Sequence, residues 1–398
     1  RGNMLQSLAL IFLSGILLGV ICKKLHLPAL VGMILAGILL SPHMLNLLDA
    51  KILSISAELR RIALVIILTR AGLALAFDDL KQVGRPAILL CFLPACFEIL
   101  GCVLLAPLIF GISVLEAAII GSVIAAVSPA VVVPRMLRLI ETRYGVQAGI
   151  PQMIMAAASV DDVFAIVLFT AFTGLADGSA FSPLRLLDIP ISILLGIGLG
   201  AGVGLLLHLL FSHTKLSLQL KVLVLLSVSF LLLCLEDWLT GMIPFASLLA
   251  VMTASAMLYR KNQAEAAALS QAFSALWSGA EILLFVLVGA TVDLRFAIAA
   301  GLGALLLLVG SLLFRCLGVL CSVTHTPLKR KERLFCLFAY LPKATVQAAI
   351  GGIPLAMGLP CGQLVLTVAV LAILITAPIG AACIDISYPK LLSQDVDQ

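Results

Sequence analysis

The feature that most limits what this chain can fold into is a recurrence of long apolar runs. Over 398 residues about thirteen runs approach or exceed the roughly 17 to 25 residues that cross a hydrocarbon layer as a helix. They fall at approximately 4–22, 28–44, 60–77, 86–110, 115–135, 149–174, 186–212, 217–235, 240–258, 273–292, 296–323, 333–357 and 362–383. In lipid every backbone N–H and C=O needs an internal partner, so such a series predicts an all-α polytopic membrane protein. The turns between runs are short, and no linker sets apart a soluble domain. Composition agrees: 62% of residues are hydrophobic and 11% charged, where soluble domains carry about 25% charge. A net charge of +5, spread over many loops without interleaved aromatics, excludes a nucleic-acid surface. The ten cysteines form no C-x-x-C pair and indicate neither zinc nor a disulfide framework. The five histidines lie in loops or near run ends, where an interfacial role suffices.

Residues 4–22 precede Lys23 and Lys24, the reverse of a signal peptide's charge order, so this run reads as a first span. The chain opens on Arg1 rather than Met, which suggests a piece of a longer protein. Sixteen lysines and arginines fall on one side of the alternating turns. Six fall on the other, namely Arg1, Lys51, Arg60, Arg61, Arg185 and Arg295, and three lie within runs. The positive-inside bias then puts the N-terminus outside and the C-terminus in the cytoplasm, which requires an odd number of spans. Lys329, Arg330, Lys331 and Arg333 form the densest basic turn and a candidate contact for anionic lipid.

Within this apolar background, ASVDDVFAIVLF sets Asp161 and Asp162 in the middle of a run. An acid at the bilayer centre costs roughly 2.5 to 3.5 kcal/mol or more, so two adjacent ones point to a use. Neighbours on a helix stand about 100° apart, whereas Ser159 and Asp162 share a face at i, i+3. One acid is therefore expected to line a cavity beside a hydroxyl, and the other to face a neighbouring helix. The remaining charges inside runs are Arg70, Glu98, Arg315 and Lys343. They are expected to find one another, the aspartates or water. For Glu98 and Arg315 a bridge that only ties two helices is as good a reading as a part in transport. Such an isolated bridge would survive a swap of its two residues better than the loss of either. Arg70 reads more simply as a snorkelling or capping side chain.

Two runs carry their own breakers. SVIAAVSPAVVVPRM holds Ser128, Pro129 and Pro134; YLPKATVQAAIGGIP holds Pro342, Thr345, Gln347, Gly351 and Gly352. Proline removes a donor and frees a carbonyl, tolerated at membrane depth only where the irregular backbone is buried or lines a watery cavity. Each breaker follows a run with one buried charge, Glu98 before Pro129 and Arg315 before Pro342. That correspondence predicts an internal, inverted repeat in which two discontinuous helices cross near the midplane, beside the aspartates. A hard cation wants several oxygens, and Asp162, Ser159, carbonyls freed near Ser128, Asp161 and water are the candidate ligands.

These residues resemble the cation:proton antiporter-2 branch of the sodium/proton antiporters, specifically the animal NHA-type exchangers. The likeness rests on ASVDDVFAIVLF, on SPAVVVP before it and on LPKATVQAAIG near the end, and covers essentially the whole chain. It implies a secondary active Na+ or Li+ for H+ antiporter rather than an enzyme, without cofactor, working as a homodimer by an elevator motion. It further implies a dimerisation domain at 1–85 and 217–292, a core transport domain at 86–175 and 296–385, and a linker helix at 186–212. Asp162 would match the ion-binding acid and Asp161 its partner. Electrogenic relatives carry a lysine where this chain has Arg315, which the resemblance pairs with Glu98 instead. Arginine stays protonated at any working pH, so the expected exchange is one cation for one proton. Lys343, a buried amine, keeps the electrogenic alternative open. The membrane is either the plasma membrane or that of an endolysosomal or mitochondrial organelle. Two rivals remain. An intramembrane aspartyl protease needs two acids that converge, which neighbours on one helix cannot do. A cation channel needs a continuous polar path, whereas the polar residues here cluster at one depth.

Overall fold

The computed structural model describes residues 3–74, 84–176, 187–239 and 241–394, apart from the side chains of Ser159 and Ile189. Among them all regular structure is helical, and strand-like pairing is limited to one isolated bridge, Tyr144 with Gln394. Nine stretches are long and apolar enough to cross a membrane among the described residues. The other four predicted runs fall on helices that are shorter, more charged or interrupted. The chain divides into two compact units.

The first unit takes Arg1–Arg60, Asp78–Ala176 and Ile282–Gln398. It opens with α1 (Met4–Lys24), α2 (Ala29–Leu40) and α3 (Ala50–Ser54), followed by the start of α4 (Ser56–Leu73). Then come α5 (Arg85–Leu90), α6 (Leu93–Phe110), α7 (Val114–Ile124), α8 (Pro129–Glu141) and α9 (Ile150–Ala176). After an intervening stretch of chain, three long helices and three short ones complete the unit. The long ones are the end of α13 (Gln263–Ala290), α14 (Leu294–Val323) and α18 (Gly362–Leu391). The short ones are α15 (Arg330–Ala339), α16 (Thr345–Ile350) and α17 (Ile353–Ala356). A helix, an interrupted helix and a long helix therefore occur twice in the same order, as α6, α7–α8, α9 and again as α14, α15–α16, α18.

Packing brings the two triplets together. α6 lies along α14, and α9 packs against α7, α8 and α16. A core of Leu90, Val132, Met136, Ile154, Val319, Phe335, Tyr340 and Ile384 fills the space between them. At one end Tyr144 meets Tyr388 edge-on with ring centroids 4.9 Å apart, and the Gly145 N–H donates to the Ser393 carbonyl at 2.9 Å.

The second unit takes Arg61–Phe77 and Asp177–Glu281, including α10 (Asp188–His213), α11 (Leu218–Leu239) and α12 (Ser247–Lys261). α10 and α12 are drawn together by a stripe of small residues. A Cβ added at Gly196, Gly200 or Gly204 would come within 2.5 to 2.7 Å of the carbonyl oxygens of Ala246, Ala250 and Ala254 respectively. Spacing of four residues keeps the stripe on one helical face. In lipid, such close backbone approach supplies the packing that a hydrophobic drive cannot. Arg61 and Asp237 form a forked bridge here at 2.9 and 3.0 Å.

Candidate functional site

Both interruptions contain or adjoin a proline. Pro129 lacks an N–H, and its ring pushes the preceding residue out of helical geometry. Ser128 is accordingly extended (φ −87°, ψ 109°), and residues 125–128 are not helical. Pro342 acts likewise between α15 and α16, where 341–344 are not helical. The two gaps touch: the Ser128 N–H donates to the Pro342 carbonyl at 2.8 Å. The expected crossing of the interrupted helices is thus fastened backbone to backbone.

A helix ends with carbonyls that no later N–H can reach, and with partial negative charge. At the end of α7 three consecutive carbonyls are covered by side chains from the second triplet. Lys343 Nζ donates to Ile124, Arg315 Nη1 to Ala125, and Gln347 Nε2 to Ala126 at 2.9 Å. Three of the carbonyls freed near Ser128 therefore already accept a hydrogen bond from within the protein, which leaves each a second lone pair.

Five ionisable side chains are buried at this crossing: Glu98, Asp161, Asp162, Arg315 and Lys343. Glu98 pairs with Arg315 at 2.9 Å and with Lys343 at 2.9 Å. Arg315 also reaches Asp161 at 3.3 Å and donates through Nε to the Tyr340 carbonyl at 2.7 Å. Arg315 is thus not confined to Glu98, as the resemblance implied; its planar fork spans both acids. Lys343 lies on Glu98 rather than on the aspartates, and its own N–H donates to Thr376 Oγ1 at 3.0 Å.

The adjacent aspartates end up in different surroundings, as helical geometry requires. Asp161 accepts from the Val127 N–H at 2.9 Å through the same oxygen that faces Arg315. Asp162 is 5% exposed, makes no ion pair among the described residues, and its Oδ1 has no hydrogen-bond partner. Further buried oxygens without a partner are Asp161 Oδ1, Ser128 Oγ, Thr345 Oγ1 and Gln347 Oε1.

Of the residues singled out from sequence, Asp161, Ser128, Pro342, Thr345, Gln347, Glu98, Arg315 and Lys343 all lie at or next to the crossing. Pro129 opens α8, while Pro134 lies inside it without ending it. The Ser159 side chain lies outside the described residues. Arg70 belongs to the second unit, half-buried in the last turn of α4, with no ion-pair partner among the described residues. Sequence reasoning missed Thr376, Tyr340 and the Val127 N–H. Thr376 had a weak signal, a hydroxyl in an apolar run ahead of Pro378. Backbone groups such as the Tyr340 carbonyl carry none.

The family model described as "Sodium/hydrogen exchanger, transmembrane" matches residues 8–385. Sodium/hydrogen exchanger 9B2 of Homo sapiens is 34% identical, over 92% of this chain and 70% of its own length. Sodium/hydrogen exchanger 9B1 of Homo sapiens is 34% identical, over 100% of this chain and 80% of its own. Among solved structures, the sodium proton antiporter MjNhaP1 from Methanocaldococcus jannaschii superposes with a TM-score of 0.84 at 20% identity. The match covers 96% of this chain and 97% of that one, which shows a shared fold.

Proposed function

The chain belongs to the sodium/hydrogen exchanger family, with relatives of the 9B type at about a third identity, and on that premise we propose that it exchanges Na+ for H+ at Asp162. It is a multi-pass integral membrane protein. The observation that carries the site assignment is a subtraction. Glu98, Asp161 and Asp162 are buried together with Arg315 and Lys343. The two cations are taken up by Glu98 and Asp161, so Asp162 is left without a fixed counterion among the described residues.

A bare carboxylate in apolar surroundings is strongly unfavourable. One Na+ or one H+ on Asp162 brings the cluster to neutrality, and the two ligands therefore exclude each other there. Three acids against two fixed cations support a one-for-one, electroneutral exchange. Li+, also a small hard monovalent cation, follows Na+ at the same oxygens. Asp161 Oδ1 and Ser128 Oγ are the proposed further ligands, with Ser159 named from sequence alone, and Thr345 Oγ1 joins them because it, like Asp161 Oδ1 and Ser128 Oγ, is buried without a partner among the described residues.

In this reading the core of 86–175 and 296–385 moves as an elevator against a dimerisation domain of 1–85 and 217–292, in a homodimer. Movement is permitted only when Asp162 is neutralised, which couples the two fluxes and suppresses leak. No covalent bond is made or broken, so the protein is not an enzyme. The test is Na+-driven pH change in proteoliposomes. Asp162→Asn is expected to abolish it, and retained Na+-dependent proton flux in that variant would refute the assignment.

A further inference from the structure

A further buried cation lies outside this carboxylate cluster. Arg60, counted from sequence as a residue of an outer turn, instead sits in the first turns of α4 and is 3% exposed. Its Nε donates to the Ser56 carbonyl at 3.3 Å, while Nη1 has no hydrogen-bond partner among the described residues. No acid among the described residues pairs with it. Glu58 on the same helix is exposed; Asp49 caps α3 through the Lys51 N–H at 2.8 Å, and Asp293 caps α14 through the Arg295 N–H at 3.0 Å. A guanidinium keeps its proton at any working pH, so Arg60 cannot relieve its burial by becoming neutral. A buried charge with no partner is costly, and one that persists points to a negative group from outside the described set.

The surroundings of Arg60 fit such a group. It lines a cavity of about 160 Å³ that is partly open to the surface, well above the roughly 10 to 15 Å³ that one water needs on the same measure. Ser54, Ser56 and Thr291 bring hydroxyls to the wall, and Leu355 brings an apolar side. No lining residue is acidic. Gly352 presses its bare backbone on the guanidinium, where an added Cβ would strike Nη1 and Nη2. We propose that this cavity binds a phosphate-type oxyanion against Arg60, either free inorganic phosphate or the phosphate head of a membrane lipid. The planar fork of donors matches such an oxyanion better than a point charge would. The hydroxyls of Ser54 and Thr291 now donate to the carbonyls of Lys51 and Val288 at 2.8 Å each, and rotation about χ1 turns them to the anion. The site is built from α3, α4, α17 and the turn before α14, and shares no residue with the Asp162 cluster.

The experiment uses the full chain purified in a maltoside detergent, which carries no phosphate. Its thermal midpoint is followed while inorganic phosphate replaces gluconate at constant ionic strength. A ligand that binds only the folded state raises the midpoint in a saturable way. That rise is expected in the unaltered protein and absent in Arg60→Gln. Arg60→Lys is expected to weaken the apparent affinity by ~tenfold, since the charge stays but the fork is lost. Gly352→Ala displaces the guanidinium without removing its charge, and is expected to lose the response even if Arg60→Gln fails to fold. In parallel, native mass spectrometry after exposure to phosphatidate micelles reads retention of one lipid per chain. Response to phosphate alone assigns a free anion, and retention of phosphatidate alone assigns a lipid head. Neither response in folded protein, an unchanged response in Arg60→Gln and Gly352→Ala, or an equal effect of chloride would overturn the proposal. Asp162→Asn is expected to keep the phosphate response, so failure here is distinct from failure of the exchange site.

Discussion

Asp162 and Asp161 differ by one position and carry opposite expectations. Asp161 is held by the Val127 N–H and by Arg315, so Asp161→Asn breaks a buried bridge and should lower the thermal midpoint of the purified protein. Asp162 has no ion-pair partner among the described residues to lose, so Asp162→Asn should leave that midpoint unchanged or raise it while transport in proteoliposomes is abolished. A drop in stability equal to that of Asp161→Asn would argue that Asp162 is structural. Glu98 and Arg315 invite the swap suggested by an isolated bridge, but the pair is not isolated. Glu98→Arg with Arg315→Glu would set a guanidinium against Lys343 and a carboxylate against Asp161. The swapped double variant is therefore expected to yield no more folded protein than either single variant, as judged by monodisperse elution, because like charges in a dry site repel strongly.

At the scale of the helix, the interruptions were legible from Pro129 and Pro342, because proline acts within a residue or two of itself. What covers the exposed end of α7 was not legible, since Lys343, Arg315 and Gln347 arrive from 190 to 221 residues away. Gln347→Leu keeps the side-chain volume roughly constant and leaves the Ala126 carbonyl unsatisfied in a dry site. That omission costs about 1 to 3 kcal/mol, and should appear as a lowered midpoint with exchange reduced in proportion to the protein that remains folded. Gly200 tests a different contact. Its Cα faces Ala250 along the small-residue seam of α10 and α12, and Gly200→Val should destabilise by roughly 1 to 3 kcal/mol through overpacking. Exchange at equal amounts of folded protein should be unchanged, which a stability-normalised flux assay would check.

For the molecule as a whole, the charge inventory at the crossing makes a prediction about voltage. If one positive charge moves in each direction, as proposed, Na+-driven proton flux in proteoliposomes should not change when the membrane potential is clamped at different values. A flux that scales with potential would mean that a second charge moves, with Lys343 the residue to examine first. The sequence alone determined that the chain lives in a membrane, that it is helical, and where its acids and breaks lie. Those properties are local: insolubility in water accumulates run by run, and a proline disrupts only its own neighbourhood. Only the tertiary structure decided which charge covers which, because Arg315 meets Glu98 across 217 positions and Asp161 across 154. Pairing at such separations is set by how helices pack, which no single stretch records. Among the described residues, Asp162 is left as the acid at the crossing without an ion pair, and Arg60 as a buried cation without one.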